Sequence, residues 1–385
     1  MKYQKITYVW FYLFIVIFTI FSILCLNQKN HLASELKRKF SDIDLQQINY
    51  LQVTPLFESY IIPQPSYLLS AHSSTFEVLK NGSLIAFWFA GSHEGKPDVN
   101  IWQSYFRNGK WSKATAIITR KSMMNDTRMF VKKLGNPVVY KAVNNTLHLF
   151  VVSVSLGGWS GSSINQMVSK DNGNTWGMAQ KIYLSPFFNI STLVRTKAVS
   201  LEDGGFYLPV YHEFMRKYPE LLYFDENGNF IYQQRINDIN HLLQPSIVEV
   251  SSESAFVYYR NHSTIDSRML MQATLDGGKS FGRVTPTDIF NQDSSMATIN
   301  LGNGQLLMVR NIEGRSKLVL SISSNGVIWH DIVNLEDTKN GEFSYPSIQI
   351  HDGVVDILYT WQRKYIKHVR FNIAWLKKQK NYSGK

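Results

Sequence analysis

The sequence predicts an all-β protein, a six-bladed β-propeller, and two recurring units carry that prediction. A turn followed by an apolar run appears six times between residues 81 and 361, and a polar-Gly-aromatic unit follows each of the first five turns. The first unit begins at Asn81-Gly82, Asn145-Thr146, Asp203-Gly204, Ser254-Ala255, Asn303-Gly304 and Asp352-Gly353, at intervals of about 50 to 60 residues. Asn-Gly and Asp-Gly accept the positive φ angles of tight hairpins, and runs such as Leu84 to Trp88 and Phe256 to Tyr259 suit pleated, half-buried strands. The second unit is clearest in Ser169-Lys170-Asp171-Asn172-Gly173-Asn174-Thr175-Trp176 and Thr274-Leu275-Asp276-Gly277-Gly278-Lys279-Ser280-Phe281. It is degenerate at Asn108 to Trp111, Asp225 to Gly228 and Ser323 to Trp329. Its Asp or Asn bonds the amides of its own turn, and its aromatic residue covers the neighbouring sheet. A period of this length with several short strands per copy is the mark of propeller blades, whereas a pair of stacked sandwiches leaves the period unexplained. The sixth copy lacks the second unit, so the stretch from Leu51 to Leu69 is expected to supply a closing strand.

The chain has 385 residues, 44% of them apolar, and no linker divides residues 81 to 371, so one large domain is expected. The boundaries read as a flank at 1–5, a membrane-spanning anchor helix at 6–26, a juxtamembrane lead-in at 27–64, the propeller at 65–372 and a basic tail at 373–385. The anchor rests on 21 uncharged, mostly apolar residues. The lone cysteine, Cys25, lies within that run, so disulfide and thiol chemistry are excluded from the propeller. The net charge of +11 is concentrated at the ends: residues 1–40 hold six basic and one acidic side chains, and residues 376–385 hold four basic ones. The 30 basic and 28 acidic residues between them are nearly balanced, which removes the case for nucleic-acid binding.

Several chemistries lack their residues. Gly91 to Pro97 falls short of a phosphate-binding loop, and there is no His-Glu-x-x-His, cysteine pair or Gly-x-Ser-x-Gly, so no metal or other cofactor is expected. What remains are polar residues at strand ends, where a propeller gathers loops around its axis. They are His72, Asp98, Trp159, His212, Glu213, Gln244, Arg260, Arg310, Arg315 and Tyr345. Each also has a purely structural reading. Arg260 and Arg315 have Asp266 and Glu313 as nearby surface partners, Tyr345 suits a core position, Asp98 a loop cap, His212 and Glu213 a polar strand end, and Trp159 the cover of a blade.

Over residues 65 to 372 the chain resembles the sialidase (neuraminidase) superfamily, in particular its bacterial branch with degenerate Asp-box repeats. Beyond the Asp boxes, the resemblance lies in Trp88 to Gly95 with Asp98, Leu134 to Pro137, Gly157 to Ser160, Leu208 to Glu213, Ser344 to Pro346 and Tyr359 to Arg363. It implies a sialidase-like exo-glycosidase acting on a terminal acidic sugar, with Tyr345 as nucleophile, Asp98 as acid/base, and Arg260 and Arg315 on the sugar carboxylate. Arg310, His72, His212 and Trp159 are expected around the substrate. Two departures stand out. Ala71 to Phe76 contains no arginine where the resemblance places the first one, and Gln244 stands where a glutamate activates the tyrosine. Glu213 or Glu342 is then the replacement carboxylate. The same departures favour, as a second class, a carbohydrate-binding propeller without turnover; a third class is an extracytoplasmic structural scaffold that retains only the fold, since fold alone does not establish function. The implied partner is a glycan with a terminal acidic sugar, which places the propeller outside the cytoplasm, with the membrane as second partner through the anchor.

Overall fold

The computed structural model describes residues 11–20, 38–41, 53–185, 191–302 and 304–379. Six antiparallel sheets follow one another along the chain as blades I to VI. The inner strands are Ser70–Val78, Lys133–Lys141, the pair Thr192–Val194 and Val199–Ser200, Leu242–Glu249, Ala297–Gly302 and Phe343–His351. Each is followed by its second and third strands in order, and the outer position of blade I is shared by Lys110–Trp111 and Thr115–Ile118. Blade VI takes its outer strand from the N-terminal side, where Phe57–Ile61 pairs antiparallel with Tyr365–Asn372. The expected closure is thus present, and it moves the start of the propeller from 65 to 57.

The turns behave as their residues dictate. In the first, the Ser83 amide donates to Asn81 Oδ1 at 3.1 Å and Gly82, at φ 76°, donates to Leu79 O at 2.9 Å. In the Asp box of blade II, Asp171 accepts from the Thr175 amide at 2.9 Å and the Thr175 hydroxyl at 2.6 Å. Asp276 repeats both bonds with Ser280 in blade IV. Trp176 then crosses to blade I, where it meets Phe87 edge-on at 5.6 Å and donates to Gln103 Oε1 at 3.0 Å. One expectation differs: the second strands are not half-buried. Leu84–Gly91 and Leu147–Val154 are buried at every position, because both faces of each blade pack against neighbouring blades.

Of the expected anchor, residues 11–20 are helical and mostly exposed, while 6–10 and 21–26, with Cys25, lie outside the described residues, as does Asn303 of the fifth turn. Among the described residues no helix is long and apolar enough to cross a membrane, so the structure gives the transmembrane helix no support. Just downstream, Arg38 to Ser41 docks on blades III and IV. The expected basic tail begins as a short helix, Ile373–Lys377, whose Trp375 stacks on Phe57 at 4.6 Å.

Candidate active site

The inner strands do not run straight. Their pairing with the second strand breaks between His72 and Thr75, Leu134 and Pro137, Leu243 and Ser246, and Ser344 and Ser347, and the inner strand of blade III is interrupted at 195–198. In three blades the extra residue takes the left-handed conformation: Ser73 at φ 56°, Gln244 at φ 48° and Tyr345 at φ 54°. Such bulges turn side chains that would lie against a neighbouring blade toward the axis. The same device, repeated at equivalent strand starts, builds the cleft.

Tyr345 stands at its centre. Arg260 Nη1 donates to the Tyr345 hydroxyl at 3.3 Å, and the guanidinium carbons of Arg195 and Arg315 lie 5.1 and 5.7 Å from the centre of its ring. The His72 ring meets the Tyr345 ring edge-on at 4.4 Å. His72 is buried and its Nδ1 has no protein partner. Desolvation, followed by the charges of Arg363, Arg315, Arg195 and Arg260, holds its pKa well below the ordinary imidazole value, so this histidine is neutral. Four arginines from four blades therefore face one neutral imidazole and one phenol.

Three of these cations are held by carboxylates. Arg260 Nε donates to Asp293 at 2.7 Å, and His262 Nδ1 lies 3.0 Å from the other oxygen of that group. Glu342 receives Arg315 at 3.3 Å and Arg363 at 2.6 Å, and Arg363 also reaches Glu94 at 2.9 Å. The surface partners offered by the sequence are taken by others: Asp266 pairs with Arg268 and Glu313 with Lys317. Glu213 belongs to the same cluster. Burial raises its pKa against the opposing charge of Arg260. Gln244 is buried and donates at 3.4 Å to the hydroxyl of Tyr211, while its own carbonyl oxygen has no protein partner. Burial, and then the neighbouring Tyr345 and Glu213, raise the pKa of Tyr211.

The cleft thus gathers His72, Glu213, Gln244, Arg260, Arg315 and Tyr345, and the other candidates have different surroundings. Arg310 is a correction: it is buried within blade V, where it bonds Ser321 at 3.0 Å and Asp331 at 2.7 Å, because its strand position directs it along the sheet. His212 stacks on Tyr218 at 4.7 Å. Trp159 lies against Gly135 with Lys133 Nζ 3.8 Å above its ring, which is the blade-covering role. Asp98 accepts from the Ser92 amide at 2.8 Å and hydroxyl at 2.9 Å, closing its own loop. Slight burial opposes ionisation there, but the Ser92 bonds prevail and hold the carboxyl below its ordinary range. Among the described residues no group of histidines, cysteines and carboxylates could hold a metal ion.

Sequence reasoning missed Arg195, Arg363, Asp293 and Glu94. Arg195 occupies in blade III the strand position that Tyr345 occupies in blade VI, a signal available from the repeat register. Arg363 lies inside a quoted motif, but its two carboxylate partners are distant in sequence.

The fold is a six-bladed β-propeller of sialidase-like form. A family model described as a BNR repeat-like domain matches residues 82–357, most of the chain, and the protein belongs to that family. No curated protein matches it. Among solved structures it is similar to a protein of unknown function from Dyadobacter fermentans, with TM-score 0.66 and 13% identity over 82% of this chain and 98% of that one. It is also similar to the NanB sialidase from Streptococcus pneumoniae, with TM-score 0.63 and 11% identity over 82% and 70% of the two chains. For Trypanosoma rangeli sialidase the values are 0.62 and 16% over 84% and 61%. At these identities the likeness is one of fold.

Proposed function

We propose that this protein is a sialidase-type exo-glycosidase acting on a terminal acidic sugar, sialic acid or a related nonulosonic acid, of an extracellular or cell-envelope glycan. The observation that carries the reading is the convergence of Arg260 and Arg315, from blades IV and V, on Tyr345. A guanidinium binds a carboxylate through two parallel charge-assisted bonds, and an excess of such groups around a phenol suits an anionic ring poised for attack by that phenol. Tyr345 is the nucleophile. Its proton needs an acceptor, and with an amide at Gln244 and Glu342 held by two arginines, Glu213 is the carboxylate we assign to that task. Following the resemblance we assign the acid for the leaving oxygen to Asp98, which must take up a proton after substrate displaces Ser92 and removes the bonds that hold it ionised. Such glycans lie outside the cytoplasm, and with the apolar run at 6–26 this is our reason for placing the propeller there.

Gln244 favours a second reading, a propeller that binds the acidic sugar without cleaving it. Calorimetric titration of the sugar acid and fluorophore release from an aryl sialoside separate the two. Binding is expected, and Arg315→Ala should weaken it by roughly 30-fold or more, a loss of about 2 kcal/mol or more for an unpaired charged contact. Turnover is expected to be slow and to vanish in Tyr345→Phe. Turnover that survives that substitution excludes the tyrosine mechanism, and absence of both binding and turnover over a panel of acidic glycans excludes the sugar site.

A further inference from the structure

Arg195 is a buried charge that glycan chemistry leaves unexplained. It leaves blade III where the inner strand is interrupted, and only 2% of its surface is exposed. Nη2 donates to Pro346 O at 2.9 Å and Nη1 to Ser74 O at 3.4 Å, while Nε has no protein partner. Those carbonyls satisfy donors without neutralising the cation. Among the described residues no carboxylate lies within ion-pair distance of Arg195, in contrast to Arg260, Arg315 and Arg363. Burial draws its pKa down to about 10, with the phenols of Tyr345 and Tyr211 acting in the opposite sense, so the group is still a cation at neutral pH. Buried charges in proteins are paired, because an unpaired one loses its hydration with nothing in return.

The counter-charge has a place to sit. Arg195 forms part of the wall of an axial channel of about 210 Å³, bounded by the inner strands of blades I, III, IV, V and VI. The channel begins at the bulges, where Arg195 and Pro346 line it, and continues along the strands to Ser200, Glu249, Asn300 and Ile350. The buried hydroxyl of Thr298, which has no protein partner, lies in the same wall. Two other charged side chains line it: Lys197, whose Nζ is 3.8 Å from Glu77, and Glu249. Neither is an ion-pair partner of Arg195. We propose that the axial channel is an anion site, in which Arg195 holds one small monovalent anion of halide or carboxylate size, with the Thr298 hydroxyl as a second donor. The anion neutralises the arginine beneath Tyr345 without entering the sugar cleft.

The test uses the full chain and chloride as the probe. Quadrupolar line broadening of the chloride NMR signal should be saturable in the wild type and lost in Arg195→Met. The thermal midpoint should rise with chloride at constant ionic strength in the wild type alone. Should Arg195→Met not fold, Thr298→Val is expected to weaken chloride binding several-fold, and a bromide-soaked crystal of the wild type should show an anomalous peak in the channel. Chloride broadening unchanged in Arg195→Met or Thr298→Val, or a channel without bromide, overturns the proposal. Full displacement of chloride by N-acetylneuraminic acid also overturns it, since the anion would then occupy the sugar cleft; chloride and sugar acid bound together support it.

Discussion

Gln244 and Tyr345 occupy equivalent bulges in blades IV and VI, each in a backbone conformation that costs a non-glycine residue about 1 kcal/mol, and the two meet around Tyr211 and Arg260. Converting Gln244 to Glu places a carboxylate where the buried amide oxygen now lacks a partner. Release of the fluorophore from an aryl sialoside should then rise at least tenfold, and an unchanged rate would show that Glu213 already meets the need for a base. Glu213 itself carries a pH signature. Its raised pKa means that the ionised base appears only above the ordinary carboxyl range, so kcat/KM should climb with pH through that shifted value, and Glu213→Gln should remove the limb. His72, held neutral by desolvation and four arginines, contributes no such limb between about pH 5 and 8. The residues legible in the sequence were those whose motif is local, such as Tyr345 within Ser344-Tyr345-Pro346. Arg310 misled because it follows the same strand as a cleft residue would, and strand direction alone does not reveal that it faces Asp331. Arg195 was readable only from the repeat register, and Arg363 acquires its meaning only when the fold brings Glu94 and Glu342 to it.

At the scale of the blade, the glycines of four turn-and-aromatic units, Gly173, Gly228, Gly278 and Gly326, mark where one sheet touches the preceding one, whereas Gly109 meets no neighbour. Gly326 has φ 75°, and a Cβ built there would lie 2.5 Å from Phe256 of the preceding blade, whose Tyr258 hydroxyl donates to Gly326 O at 2.8 Å. Gly326→Ala combines a strained backbone with an overpacked contact and should cost roughly 2 to 4 kcal/mol, measured as a lower urea midpoint. His148 fills the corresponding contact between blades II and III, beside Gly228 and Phe206. Burial, only slightly opposed by Asp225, lowers its pKa to about 4. Because the unfolded chain takes up this proton near pH 6.5 and the folded one does not, stability is lost as pH falls from about 6.5 to about 4, by at most roughly 3 kcal/mol. Urea midpoints should fall across that window, and His148→Gln should flatten the slope. Turns and boxes were readable because their chemistry lies within eight residues. Burial on both faces was not, since an alternating pattern shows which side of a strand is apolar without showing that a second blade covers the other.

The whole ring depends on two N-terminal segments at opposite sides of the molecule. Phe57–Ile61 completes blade VI, and its neighbours tighten the joint: Asn372 Nδ2 donates to Thr54 O at 2.8 Å, and the Leu56 amide donates to Asn372 Oδ1 at 3.0 Å. Without this strand the edge from Tyr365 to Asn372 is unpaired, and blade VI has no fourth member to bury Phe371 against. The second segment, Arg38 to Ser41, crosses blades III and IV at the turn end of their inner strands, away from the arginine cleft. Phe40 is fully buried beside Leu201 and Tyr207, its amide donates to Ser252 O at 2.7 Å, and the Arg38 guanidinium lies 3.5 Å above the ring of Tyr223. The closing strand was legible as the missing member of the sixth repeat. The clamp was not, because Arg38-Lys39-Phe40 reads in sequence as juxtamembrane charge. Phe40→Ala should cost about 3 to 5 kcal/mol, the range for emptying a buried phenylalanine site. A chain starting at residue 53 should fold with a lower thermal midpoint and unchanged affinity for the sugar acid, since the clamp touches no cleft residue. A chain starting at residue 62 should lose cooperative unfolding and aggregate. Equal thermal midpoints for the chain from 53 and the full chain would show that the clamp carries no stability, and a soluble, cooperative chain from 62 would show that the ring does not need its closing strand.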